Sequence, residues 1–499
     1  MEEKQHHQQS NHKKEIPSVA SVSPAALKPS SPKTEQVVQS ATSKPDALEA
    51  IQQKFCLINM EGKIWVIDRG TLNTLTDQGT VEKLKLSNRS DGKLLIKRVL
   101  KSQYPGADAK QIIEEFWDSP QTVLYNGVEF NPKGSSKSYL NLWVPPTIKP
   151  SSGDWSLIKQ FLYEIICNED DEAYDYLLRY IAHALQKPEE KPGVIIILLG
   201  GQGIGKGTLG RIFKRIWTAT YIHVHNIKSV TGDFNAALER TFIVFMDEAL
   251  FAGDRRAADA LKSLVTEEFI HVNEKFQPAR QIRSYHRFIA ATNADHFKKT
   301  ERDDRRDFTL RVSESRKGEH AFWDTLNQKI TNGGVEAMVH DLLEMDLSDF
   351  NVREKPNTKE FLQQKLHSLG PIGQWWHDCL MRGAIKEDAG NWHHFVSTSG
   401  ALEGIKEVAG VGTRQSLNMI TIVQEIKKLC PSAENLQKQI NGNRQRGLSL
   451  PSLQQARSEF EEYIEGSIEW PDILSAEDPW TEEWSEVQKP EGYSPEEDF

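Results

Sequence analysis

The sequence predicts an α/β fold with a central, mostly parallel β-sheet. Three apolar runs, at residues 194–199, 241–246 and 288–292, have the length of strands and are apolar almost throughout, which is typical of strands buried on both faces. A helical pattern at residues 206–217 separates the first run from the second. Because strands that alternate with helices form parallel sheets, we expect a compact α/β core that begins near Lys191.

Composition and spacing divide the rest of the chain into segments. The N-terminal tail is rich in Ser, Pro, Gln and Lys and is too polar to fold, whereas the C-terminal tail is acidic. Short strand patterns precede the core, and helical patterns follow it. The predicted segments are a disordered tail (1–46), an α+β accessory region (47–150), a helical pair (151–190), the α/β core (191–345), a helical extension (346–399), a helical or winged-helix module (400–466) and an acidic disordered tail (467–499).

The charge of the chain is unevenly distributed. The formal net charge is −10, but residues 458–499 carry 15 Asp or Glu and one Lys, so the remaining chain carries +4. A mildly basic body with an acidic tail is compatible with nucleic-acid binding. The four cysteines lack metal-ligand spacing, no apolar run is long enough to span a bilayer, and there is no signal-peptide pattern. We therefore expect a cytoplasmic protein that does not associate with membranes.

A glycine-rich loop between the first apolar run and the helix predicts a phosphate-binding site. Backbone N–H groups of such a loop surround phosphate oxygens, and Lys206 would reach the β- and γ-phosphates of ATP. The position after the lysine, where Ser or Thr ordinarily holds Mg²⁺, is Gly207, so Thr208 is the candidate metal ligand, directly or through water. The candidate nucleotide-binding residues are Gly200, Gly203, Gly205, Lys206, Gly207 and Thr208.

Polar residues follow the second and third apolar runs. Asp247 and Glu248 end the second run, where Asp247 would hold Mg²⁺ and Glu248 would polarise the attacking water. Asn293 ends the third run and can orient the same water near the γ-phosphate. The Gly-Lys-Gly-Thr order also occurs in nucleoside monophosphate kinases, but such an enzyme has no need of a hydrolytic glutamate. The pattern therefore favours ATP hydrolysis.

Arginines follow Asn293 in a segment of mixed charge that contains Arg302, Arg305 and Arg306. In ring ATPases an arginine from one subunit stabilises the transition-state charge at the neighbouring subunit's γ-phosphate. Arg305 or Arg306 is the candidate for this role. The alternative is a solvated charge run on the surface.

Residues 269–285 alternate apolar and polar side chains around a polar centre, which predicts a β-hairpin. If its tip faces the pore of a ring, Lys275 contacts DNA phosphates and Phe276 stacks on a base or sugar. Lys262 lies on the preceding helix and is a further candidate DNA contact. The alternative for Lys275 is an ordinary exposed hairpin lysine.

The order of these features resembles superfamily 3 helicases, and more closely the helicase part of phage and plasmid primase-helicases. The phosphate loop, the Asp-Glu strand, the basic hairpin and the Asn-ended strand follow one another within fewer than a hundred residues. Residues 125–132 with 141–143, residues 232–235 and residues 332–346 also resemble segments of that family, and the likeness covers about residues 48–384.

The resemblance implies a P-loop NTPase core of the AAA+-like type and a homohexameric ring around single-stranded DNA. It implies movement in the 3′ to 5′ direction, with ATP and Mg²⁺ bound between subunits. By that likeness the site comprises Lys206, Thr208, Asp247, Glu248, Asn293 and one of Arg305 or Arg306, and Lys275 is the translocating residue. The expected function is therefore that of a replicative DNA helicase of a phage or mobile genetic element. A DNA-bound ATPase that initiates replication or loads a partner is the alternative.

Several partners follow from the same resemblance. No carboxylate constellation of a primase precedes the helical pair, so we expect priming by a separate primase or polymerase. The acidic end at Phe499 resembles the tips of single-stranded-DNA-binding proteins and predicts contact with a partner of that kind or with this protein's own channel, although a solubilising tail is the simpler interpretation. Arg444 and Arg446 in the C-terminal module suit either duplex DNA at an origin or a collar that stabilises the ring.

Overall fold

The computed structural model describes residues 44–72, 74–76, 81, 84–134, 136–247, 255–275, 279–293, 305–385, 392–409, 418–440 and 443–472. It confirms a mixed α/β fold with a parallel sheet. None of the helices in these ranges is long and apolar enough to cross a membrane.

The central sheet has five strands, all of them parallel, in the order β12-β6-β11-β8-β7. The three apolar runs of the sequence form its three inner strands, and the outer two were not predicted. Both outer strands carry polar side chains in the middle of a short segment, which hides them from a search for apolar runs. The strands are β6 (Ile195–Leu199), β7 (Tyr221–Val224), β8 (Ile243–Met246), β11 (Arg287–Thr292) and β12 (Asp307–Arg311).

Both faces of this sheet are covered. On β6, Ile196 and Leu198 join one apolar cluster, whereas Ile195, Ile197 and Leu199 join a second cluster on the opposite face. This division follows from the alternation of side chains along a strand, and it explains why the run is apolar at every position. The helices in this part of the chain are α5 (Asp171–Gln186), α6 (Lys206–Ile216), α7 (Lys228–Thr231), α8 (Arg255–Thr266), α9 (His320–Lys329) and α10 (Val335–Glu344).

The predicted hairpin lies between β8 and β11 in the chain. It consists of β9 (Phe269–Val272) and β10 (Arg280–Arg283), which pair antiparallel with Val272 opposite Arg280. A buried ion pair anchors it, because Nη2 of Arg280 lies 2.6 Å from Oε2 of Glu239. Glu239 belongs to the 3₁₀ turn Ala236–Arg240, directly before β8.

The N-terminal region is a small α+β unit. Its sheet has the order β2-β1-β3. Asn88 and Asp108 cap two of its helices by accepting hydrogen bonds from backbone N–H groups of the first turn. Its elements are α1 (Lys44–Lys54), β1 (Phe55–Met60), β2 (Lys63–Asp68), α2 (Arg89–Gln103), α3 (Ala109–Asp118), β3 (Leu124–Tyr125), β4 (Val128–Glu129) and β5 (Leu140–Asn141).

A helical pair connects that unit to the central sheet. Its first member, α4 (Ser156–Gln160), continues as a π-helical segment to Ile166, and its second is α5. Asp170 caps α5 by accepting a hydrogen bond from the backbone N–H of Ala173. Residues of both members belong to the apolar cluster that covers one face of β6.

The C-terminal region has its own apolar core, which contains Trp375, Trp376 and Trp392. Its antiparallel sheet has the order β13-β15-β14. This core includes residues of α12, which begins before the predicted module boundary at residue 400. The elements are α11 (Lys359–His367), α12 (Pro371–Arg382), β13 (Phe395–Ser397), α13 (Thr398–Ala409), α14 (Met419–Leu429), β14 (Glu434–Ile440), β15 (Asn443–Ser449) and α15 (Leu453–Ile464).

Candidate active site

The glycine-rich loop joins the end of β6 to the start of α6. Gly200, Gly203 and Gly205 have φ angles of 137°, 75° and 108°, a region that glycine adopts without strain. Space is limited as well, since a Cβ atom at Gly205 would lie 2.7 Å from the ring of Trp323. The loop therefore requires glycine both for its backbone conformation and for its close packing.

Lys206 is the first residue of α6, and its side chain is buried against the loop. Its Nζ donates to the carbonyl oxygen of Gly200, to that of Gly201 at 2.5 Å, and to Oδ1 of Asn293 at 2.9 Å. Burial lowers the pKa of Lys206, and the carboxylates of Asp247 and Glu314 act in the opposite direction. The structure therefore brings two of the predicted site residues, Lys206 and Asn293, into direct contact.

Asp247 and Thr208 line the same cleft, which has a volume of about 630 Å³. Asp247 follows β8, and its Oδ2 lies 3.3 Å from Nε2 of His223. Thr208 is buried, and its hydroxyl accepts a hydrogen bond of 2.8 Å from Arg211. A carboxylate and a hydroxyl oxygen are hard donors of the kind that Mg²⁺ prefers, so this pair fits the predicted metal.

Three predicted residues, Glu248, Phe276 and Arg302, lie outside the described residues. Arg305 is exposed and Arg306 is half-buried just before β12, and neither is among the residues that line the cleft of the single chain. A role for either arginine at a neighbouring subunit's site therefore stays a prediction.

Lys275 lies at the tip of the hairpin and is exposed. Its Nζ lies 5.3 Å from the ring centroid of Phe234, which is itself 57% exposed. Next to Phe234, Asn235 donates from Nδ2 to the carbonyl oxygen of His271 and accepts from the backbone N–H of Asn273. Asn235 therefore holds the end of β9 through two hydrogen bonds.

Lys262 is half-buried on α8. It precedes the hairpin in the chain. Its predicted contact with DNA stays a prediction.

Sequence reasoning missed several residues of the cleft, including Tyr221, His223, Arg211 and Trp323. Burial lowers the pKa of His223, whereas the nearby carboxylate of Asp247 raises it. A signal for this residue was present, because the segment Tyr221-Ile-His-Val-His alternates in the manner of a strand and ends in polar residues, as the other strands do.

The fold and the site define a parallel α/β protein with a glycine-rich loop at the end of a central strand. The family described as "Family of unknown function (DUF5906)" matches residues 198–306, which extend from the loop to Arg306. The DNA primase-polymerase of Nitratiruptor phage NrS-1 is 23% identical over 306 residues. That match spans 58% of this chain and 41% of the relative's length.

Solved structures of the same relative's C-terminal region share the fold. The A form apo structure of this region has a TM-score of 0.60 and 16% identity, and the match covers 81% of this chain and 98% of that one. The apo structure of residues 305–718 has a TM-score of 0.59 and 16% identity, with coverage of 82% and 100%. This chain is therefore similar to a phage replication protein, and its fold is that of the C-terminal region.

Proposed function

We propose that this protein is an ATP-dependent DNA helicase that serves the replication of a phage or mobile genetic element and moves on single-stranded DNA as a ring. The observation that carries the proposal is the convergence of Lys206, Asn293, Asp247 and Thr208 on one cleft. Asp247 follows β8, Asn293 follows β11, and Lys206 and Thr208 lie in the first turn of α6, which the loop joins to β6. The cleft therefore lies at the carboxyl ends of parallel strands, where open α/β sheets bind ligands.

The loop and its lysine would bind the triphosphate. Lys206 donates to two carbonyl groups of the loop and to Asn293, so its ammonium group lies against the loop that would bind the β- and γ-phosphates. Asn293 would then orient the attacking water, and Glu248 would accept its proton. Thr208 and Asp247 would hold Mg²⁺, which neutralises charge on the phosphates when bound.

The hairpin would couple this site to DNA. Lys275 and Phe234 present a cation and an aromatic ring on one exposed surface, a combination that contacts phosphates and stacks on bases. A hexameric ring would direct six such surfaces to its pore, and Arg305 or Arg306 would complete the neighbouring subunit's ATP site. Hydrolysis in one subunit would then affect the neighbouring subunit.

A second candidate function is primer or DNA synthesis, because the relative from phage NrS-1 is named a DNA primase-polymerase. Synthesis requires carboxylates that hold two metal ions about 3.5–4 Å apart. Among the described residues, the potential metal-binding group is instead His223, His225 and Asp247. The solved structures similar to this chain are of that relative's C-terminal region and show the fold alone. We prefer the helicase proposal because of the glycine-rich loop and the residues that line the cleft.

One set of assays separates the candidates. We expect ATP hydrolysis that single-stranded DNA stimulates, together with displacement of a strand from tailed duplexes, and we expect Lys206→Ala and Glu248→Gln to abolish both. Lys97→Ala, which removes an exposed lysine of α2, is the matched control. DNA-stimulated hydrolysis without displacement would favour an initiator or loader. Formation of ADP from AMP and ATP would favour a kinase, and nucleotide incorporation on a bare template would favour a primase-polymerase.

A further inference from the structure

A histidine pair lies beside Asp247 at the edge of the cleft. His223 belongs to β7, and His225 follows that strand by one residue, so both side chains project on the same side of the sheet. The backbone N–H of Asp247 donates to the carbonyl oxygen of Val224 at 2.8 Å, which fixes the carboxylate next to both rings. One ligand atom from each of the three side chains lies within 4.8 Å of the others.

The spacing suits a metal ion. Ligand atoms about 2.1 Å from a tetrahedral metal lie about 3.4 Å from one another. Nε2 of His223 and Oδ2 of Asp247 are 3.3 Å apart, close to that separation. The two imidazole rings are stacked with centroids 4.5 Å apart, so His225 lies beside this pair of ligand atoms.

A hydrogen bond alone does not account for the cluster. It would explain the contact between His223 and Asp247, but it gives no reason for a second exposed imidazole in reach of the same carboxylate. Packing against Phe245 involves the ring of His223, whereas His225 is exposed and stacks on His223. Two imidazoles and one carboxylate suit Mn²⁺, Co²⁺ or Zn²⁺, whereas Mg²⁺ prefers oxygen donors.

We propose that His223, His225 and Asp247 form a binding site for a divalent transition-metal ion that is filled without nucleotide. The site shares Asp247 with the proposed function but does not otherwise rest on it. Occupation by such an ion would withdraw Asp247 from Mg²⁺. Mg²⁺ and transition-metal ions would therefore bind differently in the cleft. His225 would contribute to the binding of transition-metal ions alone.

The test is Co²⁺ binding to the full chain, without nucleotide or DNA, followed by visible absorption and by calorimetry. The parent protein carries His6→Ala, His7→Ala and His12→Ala, because these histidines of the N-terminal tail would otherwise bind the ion. We expect one ion per chain, with an absorption band typical of imidazole ligation. His225→Ala and His223→Ala should each weaken binding about tenfold or more. His271→Ala, which removes another exposed histidine, should bind Co²⁺ like the parent.

The proposal is overturned if His225→Ala and His223→Ala bind Co²⁺ as tightly as the parent, provided that their circular dichroism matches that of the parent. Binding at several equivalent weak sites, with no dependence on these two histidines, would overturn it as well. Because no nucleotide is present, a failure of the helicase proposal would leave the Co²⁺ result unchanged. Loss of Co²⁺ binding in His225→Ala with unaltered Mg²⁺-dependent ATP hydrolysis would support the metal site by itself.

Discussion

Nζ of Lys206 donates a hydrogen bond of 2.9 Å to Oδ1 of Asn293. This contact joins the start of α6 to the end of β11, the strand that pairs with β6. The residue that would bind the γ-phosphate and the residue that would orient the attacking water are therefore held in direct contact. Such preorganisation avoids rearrangement at the moment of reaction.

We expect Asn293→Ala to lower the kcat for ATP hydrolysis by about 10²–10³-fold, because one preorganised polar group is lost from the transition state. The KM for ATP should change far less, since the loop and Lys206 still bind the phosphates. Steady-state hydrolysis with saturating DNA measures both constants. An equal loss in kcat and in ATP affinity would contradict the orienting role.

The hairpin tip should determine DNA binding. We expect Lys275→Ala and Phe234→Ala each to weaken the affinity for a single-stranded oligonucleotide about tenfold, with Phe234→Tyr close to the parent because it keeps an aromatic face. Fluorescence anisotropy at several salt concentrations measures this, and Lys275→Ala should also flatten the salt dependence. Lys97→Ala is the control for a general loss of positive charge. Unchanged affinity in both hairpin variants would remove the hairpin from the DNA-binding surface.

Removal of one partner from the buried ion pair of Glu239 and Arg280 should destabilise the core strongly. Glu239→Ala leaves a buried guanidinium without its main partner, so we expect the free energy of unfolding to fall by about 3–5 kcal/mol. The double variant Glu239→Leu with Arg280→Met should recover much of this loss. Glu268 pairs with Arg283 on the exposed side of the same hairpin, and Glu268→Ala should cost less than about 1 kcal/mol. Urea denaturation provides the comparison.

His286 should make the fold sensitive to acid. It is buried, its Nε2 lies 2.8 Å from the carbonyl oxygen of Leu238, and its Nδ1 lies 2.9 Å from Oγ of Ser284, which also accepts from Lys191. Burial lowers the pKa of His286 to about 3, whereas the pKa of an imidazole in the unfolded chain is about 6.5. Below about pH 6.5 the unfolded state takes up a proton that the folded state does not. The free energy of unfolding therefore falls as the pH falls from about 6.5 towards the folded-state pKa of His286, about 3.

Between pH 7.5 and 5.0 this single imidazole should lower the free energy of unfolding by about 2 kcal/mol. His286→Gln has no titrating group, so its loss over the same interval should be smaller by that amount. Urea midpoints at the two pH values measure the difference. His320→Gln, which changes an exposed histidine, should behave like the parent. An identical pH dependence in His286→Gln and the parent would contradict the assignment.

The β14–β15 hairpin of the C-terminal module should bind duplex DNA. Arg444 and Arg446 are exposed on β15, and Thr421, Gln424 and Lys428 form an exposed polar stripe on α14. We expect Arg444→Ala with Arg446→Ala to reduce the affinity for duplex DNA. The slope of log K against log salt should become shallower by about 0.9 for each phosphate that the variant no longer neutralises. A change in oligomer size without any change in this slope would favour the collar instead.

The inner part of the sheet could be predicted from the sequence, and its borders could not. β6, β8 and β11 are covered on both faces, so nearly every residue is apolar and the runs are conspicuous. β12 contains Asp307, Thr309 and Arg311, and β7 contains His223. These polar side chains interrupt the apolar pattern of both strands, and β7 keeps only the weaker signal of alternation. The tertiary contacts that bury the outer strands are not visible in a single sequence.

The site was predictable where a polar residue follows an apolar strand. Asp247 and Asn293 satisfy this rule, and the structure places both in the cleft with Lys206. His223 was not predicted because its strand, β7, was not predicted. The role of Arg305 or Arg306 depends on a second subunit, and neither the sequence nor a single chain contains that geometry.

Helix α11 closes the outer border of the sheet at β12. The backbone N–H of Ile195 donates to the carbonyl oxygen of Arg306, so the carbonyl group of Thr309, three residues on, points away from β6. It accepts a hydrogen bond of 2.5 Å from Thr358, and Arg311 forms a two-pronged ion pair with Glu360 at 2.6 and 2.8 Å. Strand addition from another molecule is thereby blocked at this border. Any molecule that binds at this border would therefore contact side chains and could not extend the sheet.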